Sequence, residues 1–180
     1  MAAGAGGFAE SAVARSDDAP AEVARYVGGV ARQPRNVLPE AGVFHVTCRG
    51  VAKSEIFLDD SDRAFFVRLL RESVGKFDWH CHAYCLMGNH YHAILETELV
   101  SLSRGIHRMN GAYAQRFNRR YERVGHLFQN RFFARNIATD AHLESAIAYV
   151  WNNPVRAGLC EEAHHWPWGG SIRPRSQRAA

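Results

Sequence analysis

The sequence lacks the long unbroken apolar run that a transmembrane helix requires, which excludes a membrane-spanning helical protein. Its first residues also lack the basic start and apolar stretch that are typical of a secretory signal. Cysteine is scarce: the four cysteines form no Cys-x-x-Cys pair and no spacing typical of a disulfide framework. These absences favour a reducing compartment, so we expect a cytoplasmic protein with no membrane partner.

The length and the apolar content of the chain suffice for one folded domain. The chain has 180 residues, of which 47% are apolar, and a mean hydropathy of -0.30, values typical of a globular protein with a sizeable core. Residues 1–38 are rich in alanine, glycine and small polar residues, and we interpret them as a disordered leader. The folded domain is then expected over residues 39–170, with a flexible tail over 171–180.

Acidic residues are almost missing from one long segment. The net charge is only +4, yet between Arg104 and Arg135 the acidic residue is Glu122, among many arginines and aromatic residues. The arginines are Arg104, Arg108, Arg116, Arg119, Arg120, Arg123, Arg131 and Arg135. Arginine contacts phosphates and aromatic rings stack on bases, so the segment indicates a single-stranded nucleic acid as partner. An amphipathic helix with a solvated basic face is the alternative interpretation.

The periodicity of apolar residues predicts an α+β fold. The expected elements are a strand over 43–49, a helix from Asp60 or Ser61 to about Gly75, strands over 77–86 and 91–96, a helix over 102–120, an extended piece over 127–135 and a helix from Asp140 to Pro154. Gly88 and Asn89 predict the turn of a β-hairpin. This order favours a ferredoxin-like antiparallel sheet with helices packed on one face.

Two histidines, His90 and His92, stand one residue apart where the second hairpin strand begins. Alternate side chains of a strand share a face, so both imidazoles can point at one ligand. Neutral imidazole is a common metal ligand, although paired strand histidines also serve as plain hydrogen-bonding residues. Two imidazoles and an amide oxygen would leave positions open for water and phosphate oxygens, which suits Mg²⁺ or Mn²⁺.

A zinc site was also considered, because His80, Cys81, His82 and Cys85 lie close together in sequence. Structural zinc sites use closed, cysteine-rich ligand sets with characteristic spacing. The spacing of these four residues matches none of those sets, so the sequence does not favour zinc here.

A tyrosine and an asparagine, Tyr149 and Asn153, stand four residues apart and would lie one turn from each other on a helix. Tyrosine on an amphipathic helix is commonly a core residue, and asparagine before Pro154 is a common helix-ending residue. A phenol is also a competent nucleophile at phosphorus when a cation neutralises the phosphate oxygens. Both interpretations stay open on spacing alone.

The two segments together resemble a known family. The sequences LMGNHYH over residues 86–92 and YVWNNPVRAGL over 149–159 closely resemble single-tyrosine HUH transposases, particularly the REP-associated tyrosine transposase branch. The resemblance extends over about residues 43–168 and includes Thr47-Cys48-Arg49-Gly50. A lone His-x-His motif has low specificity, but these two motifs in this order have high specificity.

The resemblance implies a function and a site. It implies His90, His92 and Asn153 as ligands of Mg²⁺ or Mn²⁺, and Tyr149, on a C-terminal helix, as the nucleophile. The implied activity is cleavage and rejoining of single-stranded DNA by transesterification through a 5′-phosphotyrosine intermediate. Hairpin-forming repeats are the implied targets, and relatives work as monomers or homodimers.

Other functions fit parts of the sequence. A replication initiator or a relaxase uses similar chemistry but usually carries additional domains, for which this chain has little room. A domesticated enzyme, or a catalytically inactive protein that binds single-stranded nucleic acid, remains as the alternative. Binding alone requires neither histidine, nor Tyr149, nor Asn153, so their joint presence favours catalysis.

Overall fold

The computed structural model describes residues 37–174, and these contain a five-stranded sheet in the order β4-β1-β3-β2-β5. The strands are β1 (Ala41–Arg49), β2 (His80–Leu86), β3 (His90–Glu98), β4 (Phe133–Ile137) and β5 (Gly169–Ile172). Every neighbouring pair of strands is antiparallel. The predicted α+β fold with an antiparallel sheet is therefore confirmed, as is the β-hairpin between β2 and β3.

Four helices accompany the sheet in the described residues: α1 (Asp60–Phe77), α2 (Leu99–Arg120), α3 (Asp140–Trp151) and α4 (Asn153–Arg156). The carboxylate of Asp59 accepts a hydrogen bond from the main-chain N–H of Asp62, so the cap of α1 lies just before the predicted one. The helix also continues past Gly75 and ends at Asp78, which adopts the left-handed conformation with φ 49°.

Helices α1 and α2 cover one face of the sheet. Their apolar side chains, including Phe66 and Tyr113, pack with Phe44 and Tyr91 of the central strands, and all four are buried. The Tyr91 hydroxyl also donates a hydrogen bond to Oδ1 of Asn110 on α2. These contacts form the main hydrophobic core, because burial of large apolar side chains dominates folding.

Helix α3 lies over the opposite face. Side chains alternate along a strand, so His45 and His92 point away from the face that Phe44 and Tyr91 share with the core. The ring of Tyr149 on α3 contacts both histidines. The prediction that helices pack on one face thus holds for α1 and α2, whereas α3 covers the other face, where His45 and His92 are also buried.

The ends of the folded domain differ from the expected ones. Strand β5 was not predicted, and it pairs Ile172 with Cys81, so the sheet extends past the expected boundary at residue 170. Leu38, expected in the leader, is buried in the core. The remainder of the predicted leader, residues 1–36, and of the predicted tail, residues 175–180, lies outside the described residues.

Membrane and disulfide expectations were examined on the described residues. Between residues 37 and 174, no helix has the length and apolarity needed to cross a bilayer. All four cysteines fall in this range and are free thiols.

Candidate active site

Strand β3 places His90 and His92 side by side on the face that α3 covers. Their ring centroids lie 5.0 Å apart. The antiparallel register pairs His92 with Thr47 and His90 with Arg49 of β1. The predicted alternation of side chains is therefore observed, and two central strands hold the imidazoles on a rigid support.

Internal hydrogen bonds fix the orientation of both imidazoles. Nδ1 of His90 lies 2.6 Å from Oδ1 of Asn89, an atom that only accepts, so Nδ1 carries the proton. Nδ1 of His92 lies 2.9 Å from Nε2 of His45 and 3.1 Å from Oγ1 of Thr47. Each ring thus uses Nδ1 internally, and Nε2 is the atom that can bind a metal ion.

Burial keeps the imidazoles of this face neutral. It lowers the pKa of His90 to about 4, and the nearby Arg49 adds to the effect. The pKa of His92 lies well below its ordinary value because of burial first, and then because of His45, His90 and Arg49. Burial, followed by Arg135 and His142, lowers the pKa of His45 to about 4. Neutral imidazole is the form that coordinates metals, so the residues fit a divalent ion.

Helix α3 brings Tyr149 to the histidines. The Tyr149 ring centroid lies 5.8 Å from that of His92 and 6.1 Å from that of His45, and both contacts are edge-to-face. The side chain of Thr139 caps the helix by accepting from the main-chain N–H of His142, and Ala146 and Val150 are buried. These anchors fix the helix rotation that directs Tyr149 towards the sheet.

Opposing influences act on the phenol of Tyr149. Burial raises its pKa, while Arg156, a side-chain hydrogen bond with Asn153, and Arg49 lower it, in that order. The guanidinium carbon of Arg156 lies 5.5 Å from the ring centroid. The two arginines favour the phenolate, which is the nucleophilic form.

The side chain of Asn153 is held against the last turn of α3. Its Nδ2 donates a hydrogen bond to the main-chain carbonyl of Tyr149 at 2.8 Å. An amide oxygen is a good ligand for a hard cation, and in this arrangement Oδ1 is the atom that could bind one. The expected four-residue relation is therefore observed, although the chain divides into α3 and α4 between the two residues.

Sequence reasoning missed three neighbours of the site: Thr47, Arg49 and Arg156. Thr47 and Arg49 alternate with His45 along β1, so a strand pattern could have placed them on one face. Their position beside His90 and His92 depends on the register between strands that are distant in sequence. Arg156 follows Tyr149 by seven residues, but the turn between α3 and α4 decides its direction.

The structure divides the predicted DNA-binding arginines between the two faces. Arg135 lies on β4 opposite His45, next to the histidine cluster. Six others belong to α2 or its end, on the far side of the sheet from Tyr149: Arg104, Arg108, Arg116, Arg119, Arg120 and Arg123. The predicted basic segment is thus continuous in sequence, but most of its arginines lie on a different face of the sheet from Tyr149.

Two of these arginines have internal partners that were not predicted. Arg120 contacts the carboxylates of Asp59 at 2.5 Å and Asp62 at 2.8 Å, and Arg116 contacts Asp62 at 3.3 Å. Asp62 is fully buried. Arg116 and Arg120 therefore join α2 to the start of α1, a role that sequence spacing could not reveal.

A groove of about 740 Å³ runs between α2 and the loop over residues 125–132. Arg104 and His107 line it from the helix, and Gln129 and Arg131 line it from the loop. Arg104 and Arg131 are exposed. The groove is thus a basic surface feature that two of the predicted arginines share.

A second group of metal-ligating side chains lies on β2 and β3. It comprises His80, His82 and Glu96, whose donor atoms all lie within 4.8 Å of one another. Cys81 and Cys85, which the zinc hypothesis included, are buried and do not belong to this group. The described residues therefore contain a histidine and glutamate cluster that could hold a metal ion.

The chain was compared with known proteins. The family model described as IS200-like transposase matches residues 41–153. A solved structure described as a REP-associated tyrosine transposase bound to a REP hairpin is similar, with a TM-score of 0.60 and 16% identity over 76% of this chain and 81% of that chain. No curated protein matches the sequence.

The two matches agree with the architecture. The family match spans β1 to the start of α4 and so includes both histidines of β3, Tyr149 and Asn153. The structural match, at its low identity, supports the fold. The chain belongs to the IS200-like transposase family and is a single-tyrosine transposase enzyme.

Proposed function

We propose that this transposase cuts and rejoins single-stranded DNA by transesterification, with Tyr149 as the nucleophile. The observation that carries the proposal is the meeting of Tyr149 with His92 and His45 on one face of the sheet, 5.8 Å and 6.1 Å between ring centroids. The resemblance implied four site residues. Two of them, His90 and His92, lie on this face of β3, and the other two, Tyr149 and Asn153, belong to α3 and α4.

We propose that Nε2 of His90, Nε2 of His92 and Oδ1 of Asn153 hold Mg²⁺ or Mn²⁺. The neutral state of the imidazoles and the internal use of each Nδ1 support this ligand set. When bound, such an ion neutralises the non-bridging oxygens of a phosphodiester. The remaining chemistry belongs to side chains of this protein.

In the proposed reaction, the Tyr149 oxygen attacks phosphorus. A bond forms between phosphorus and the tyrosine oxygen, and the bond between phosphorus and the 3′-oxygen breaks. The phenol loses its proton, and the departing 3′-oxygen gains one and leaves as a 3′-hydroxyl. Arg49 and Arg156 assist because they lower the pKa of Tyr149 against the effect of burial. A 3′-hydroxyl from another DNA end reverses the step, so strands are joined without nucleotide hydrolysis.

The proposed substrate is a DNA hairpin with a single-stranded flank. The similar solved structure is described as bound to a REP hairpin, and the groove with Arg104 and Arg131 offers cationic side chains to a phosphate backbone. A tyrosine on a helix reaches an unpaired backbone more easily than a paired one. We propose the cytoplasm as the location of this activity.

Covalent capture tests the proposal. The full chain is incubated with Mn²⁺ and a labelled hairpin oligonucleotide, and the adduct is separated on a denaturing gel. We expect Tyr149→Phe to abolish the adduct and to retain binding, because it removes one oxygen atom. Tyr121→Phe is the matched control, since Tyr121 lies on the opposite side of the sheet and should keep adduct formation.

Binding without an adduct in the parent protein would instead favour the inactive nucleic-acid-binding alternative. The metal requirement is tested in the same assay with a chelator and with His92→Gln. Both should lower the cleavage rate at least about 100-fold, because the phosphate charge is then not neutralised. Undiminished cleavage in chelator would contradict the proposed metal site.

A further inference from the structure

The second cluster of donor side chains lies at an irregularity in β2. The pairing of β2 with β3 shifts between Cys81 and Ala83, which makes His82 the residue of a β-bulge. Cys81 is fully buried in the core, whereas the His80 and His82 rings stack with centroids 4.0 Å apart. His80 and His82 stand two residues apart and share the face opposite to Cys81, so their imidazoles lie together beside β3, next to the bulge.

Glu96 completes the cluster from the neighbouring strand. It pairs with His80 in the register of β2 and β3. Its Oε2 lies 2.8 Å from Nε2 of His82 and 3.7 Å from Nδ1 of His80. Ligands about 2.0–2.2 Å from a tetrahedral zinc ion lie about 3.3 Å from one another, so these two distances bracket the separation that a shared ion requires.

From this geometry we propose a second metal site, formed by His80, His82 and Glu96, for a divalent transition metal of the Zn²⁺ type. Two imidazoles and one carboxylate suit zinc and its neighbours better than Mg²⁺, which prefers oxygen ligands. The side chains are 23%, 16% and 53% exposed, so water can occupy a further coordination position and the ion can enter from solvent. An ion here would tie the bulge of β2 to β3.

The proposed site is separate from the one that contains His92. Glu96 lies four residues further along β3, which corresponds to about 13 Å. The proposal therefore does not depend on the proposed reaction, and a metal ion can bind at one end of β3 without a ligand from the other end. Its consequence for experiment is that removing a ligand at one end of this strand should leave metal binding at the other end unchanged.

A third histidine cluster supplies a control. Glu162, His164 and His165 also lie within ligand distance of one another, but all three are exposed and they belong to one short turn. Such a turn carries no strand pairing that fixes the donors, so we do not propose a site there. His164→Gln with His165→Gln is the matched variant, because it removes two imidazoles and leaves the sheet unchanged.

Zinc stoichiometry tests the inference. Equilibrium dialysis of the full chain against Zn²⁺ should show that His82→Gln and Glu96→Gln each lose one bound equivalent, while the His164 and His165 variant keeps it. The variant His92→Gln should also keep the equivalent assigned to His82. Co²⁺ absorption in the visible range should fall in His82→Gln, and cleavage with Mn²⁺ should remain.

The contradicting results are equally specific. Unchanged Zn²⁺ stoichiometry in both His82→Gln and Glu96→Gln would show that the cluster binds no zinc and is only an ion pair. Loss of the equivalent only in the His164 and His165 variant would move the site to that turn. Glu96→Gln guards against misfolding, since Glu96 is the most exposed of the three side chains and its replacement conserves shape.

Discussion

At the scale of single residues, neighbouring side chains set the orientation of the imidazoles and the pKa values of the imidazoles and of the phenol. His45 and Thr47 hydrogen bond the Nδ1 atom of His92, and Asn89 hydrogen bonds that of His90. Second-layer partners of this kind orient ligands and typically change metal affinity 10- to 100-fold on mutation, as a rough guide. Arg49 differs from them, because it acts by charge on His90, His92 and Tyr149 alike.

Replacement of Arg49 by glutamine should slow adduct formation about 10- to 100-fold. Arg49 lowers the pKa of Tyr149, so its loss should raise that pKa and shift the rise of rate with pH to more alkaline values. A rate profile between pH 6 and 10 measures both effects. The control is Arg68→Gln, which replaces an exposed arginine on α1. An unshifted pH profile in the Arg49 variant would show that Arg49 does not lower the pKa of Tyr149.

The site residues were predicted from the sequence alone. His90, His92, Tyr149 and Asn153 were identified from two short motifs, and their assigned roles stay predictions until tested. Arg49 and Thr47 were missed because strand register decides what they contact. Register depends on pairing between residues more than forty positions apart, which local patterns do not record.

At the scale of elements, a buried carboxylate joins the two helices of the main core. Asp62 accepts hydrogen bonds from the main-chain N–H of Leu58, the Tyr121 hydroxyl and the guanidinium groups of Arg116 and Arg120. A buried charge is costly unless it is fully paired, and these donors surround it. Asp59 adds to the same contact, and Arg120 lowers the pKa of that carboxyl to about 2.

Replacement of Asp62 by alanine should lower the free energy of unfolding by about 3 kcal/mol, because it leaves Arg116 without its carboxylate and Arg120 with Asp59 alone. Urea denaturation followed by circular dichroism measures the change. Asp60→Ala is the matched control: its side chain is 79% exposed, and we expect a loss below about 1 kcal/mol. Equal effects of the two substitutions would refute the proposed importance of the buried contact.

A close approach between α2 and the residue before β2 gives a second prediction at this scale. A Cβ atom at Gly105 would lie 2.1 Å from an atom of the Trp79 ring, which is fully buried. Gly105→Ala should therefore destabilise the protein by about 1–3 kcal/mol despite the higher helix propensity of alanine.

The control for this substitution lies on the same helix. Nothing lies within 4 Å of a Cβ atom at Gly111, so Gly111→Ala should stabilise the protein by up to about 1 kcal/mol. Thermal unfolding of both variants compares them directly. A stabilising Gly105→Ala would show that α2 and Trp79 do not pack as closely as described.

Element boundaries were predictable to the extent that local signals define them. The hairpin turn at Gly88 and Asn89 and the helices were found from periodicity and turn residues. Strand β5 was missed because Gly169 and Gly170 give it no β-branched or apolar pattern, and it forms only by pairing with β2. The bulge at His82 was missed for the same reason, since it exists only in relation to β3.

At the scale of the whole molecule, the sheet separates Tyr149 and its neighbouring histidines from much of the basic surface. Tyr149 lies on the α3 side, whereas the groove with Arg104 and Arg131 lies beside α2. A DNA strand that contacts both must therefore pass around an edge of the sheet. The sequence could not reveal this division, because the arginines form one uninterrupted segment between Arg104 and Arg135.

Replacement of both Arg104 and Arg131 by glutamine should weaken hairpin binding and flatten its salt dependence. Each phosphate contact on single-stranded DNA contributes about 0.7 to the slope of log affinity against log salt, so two contacts should reduce its magnitude by about 1.4. Fluorescence anisotropy across a salt series measures the slope. Arg68→Gln with Arg71→Gln on α1 removes the same charge, and an equal change there would show a non-specific charge effect.

The most direct measurement of the central claim is mass spectrometric mapping of the nucleotide-bearing peptide after incubation with Mn²⁺ and a single-stranded hairpin substrate. The account predicts a phosphodiester linkage between a DNA 5′-phosphate and Tyr149, and no such linkage in Tyr149→Phe. A DNA linkage on another residue, or adducts that persist in Tyr149→Phe, would contradict the assignment of Tyr149 as the nucleophile.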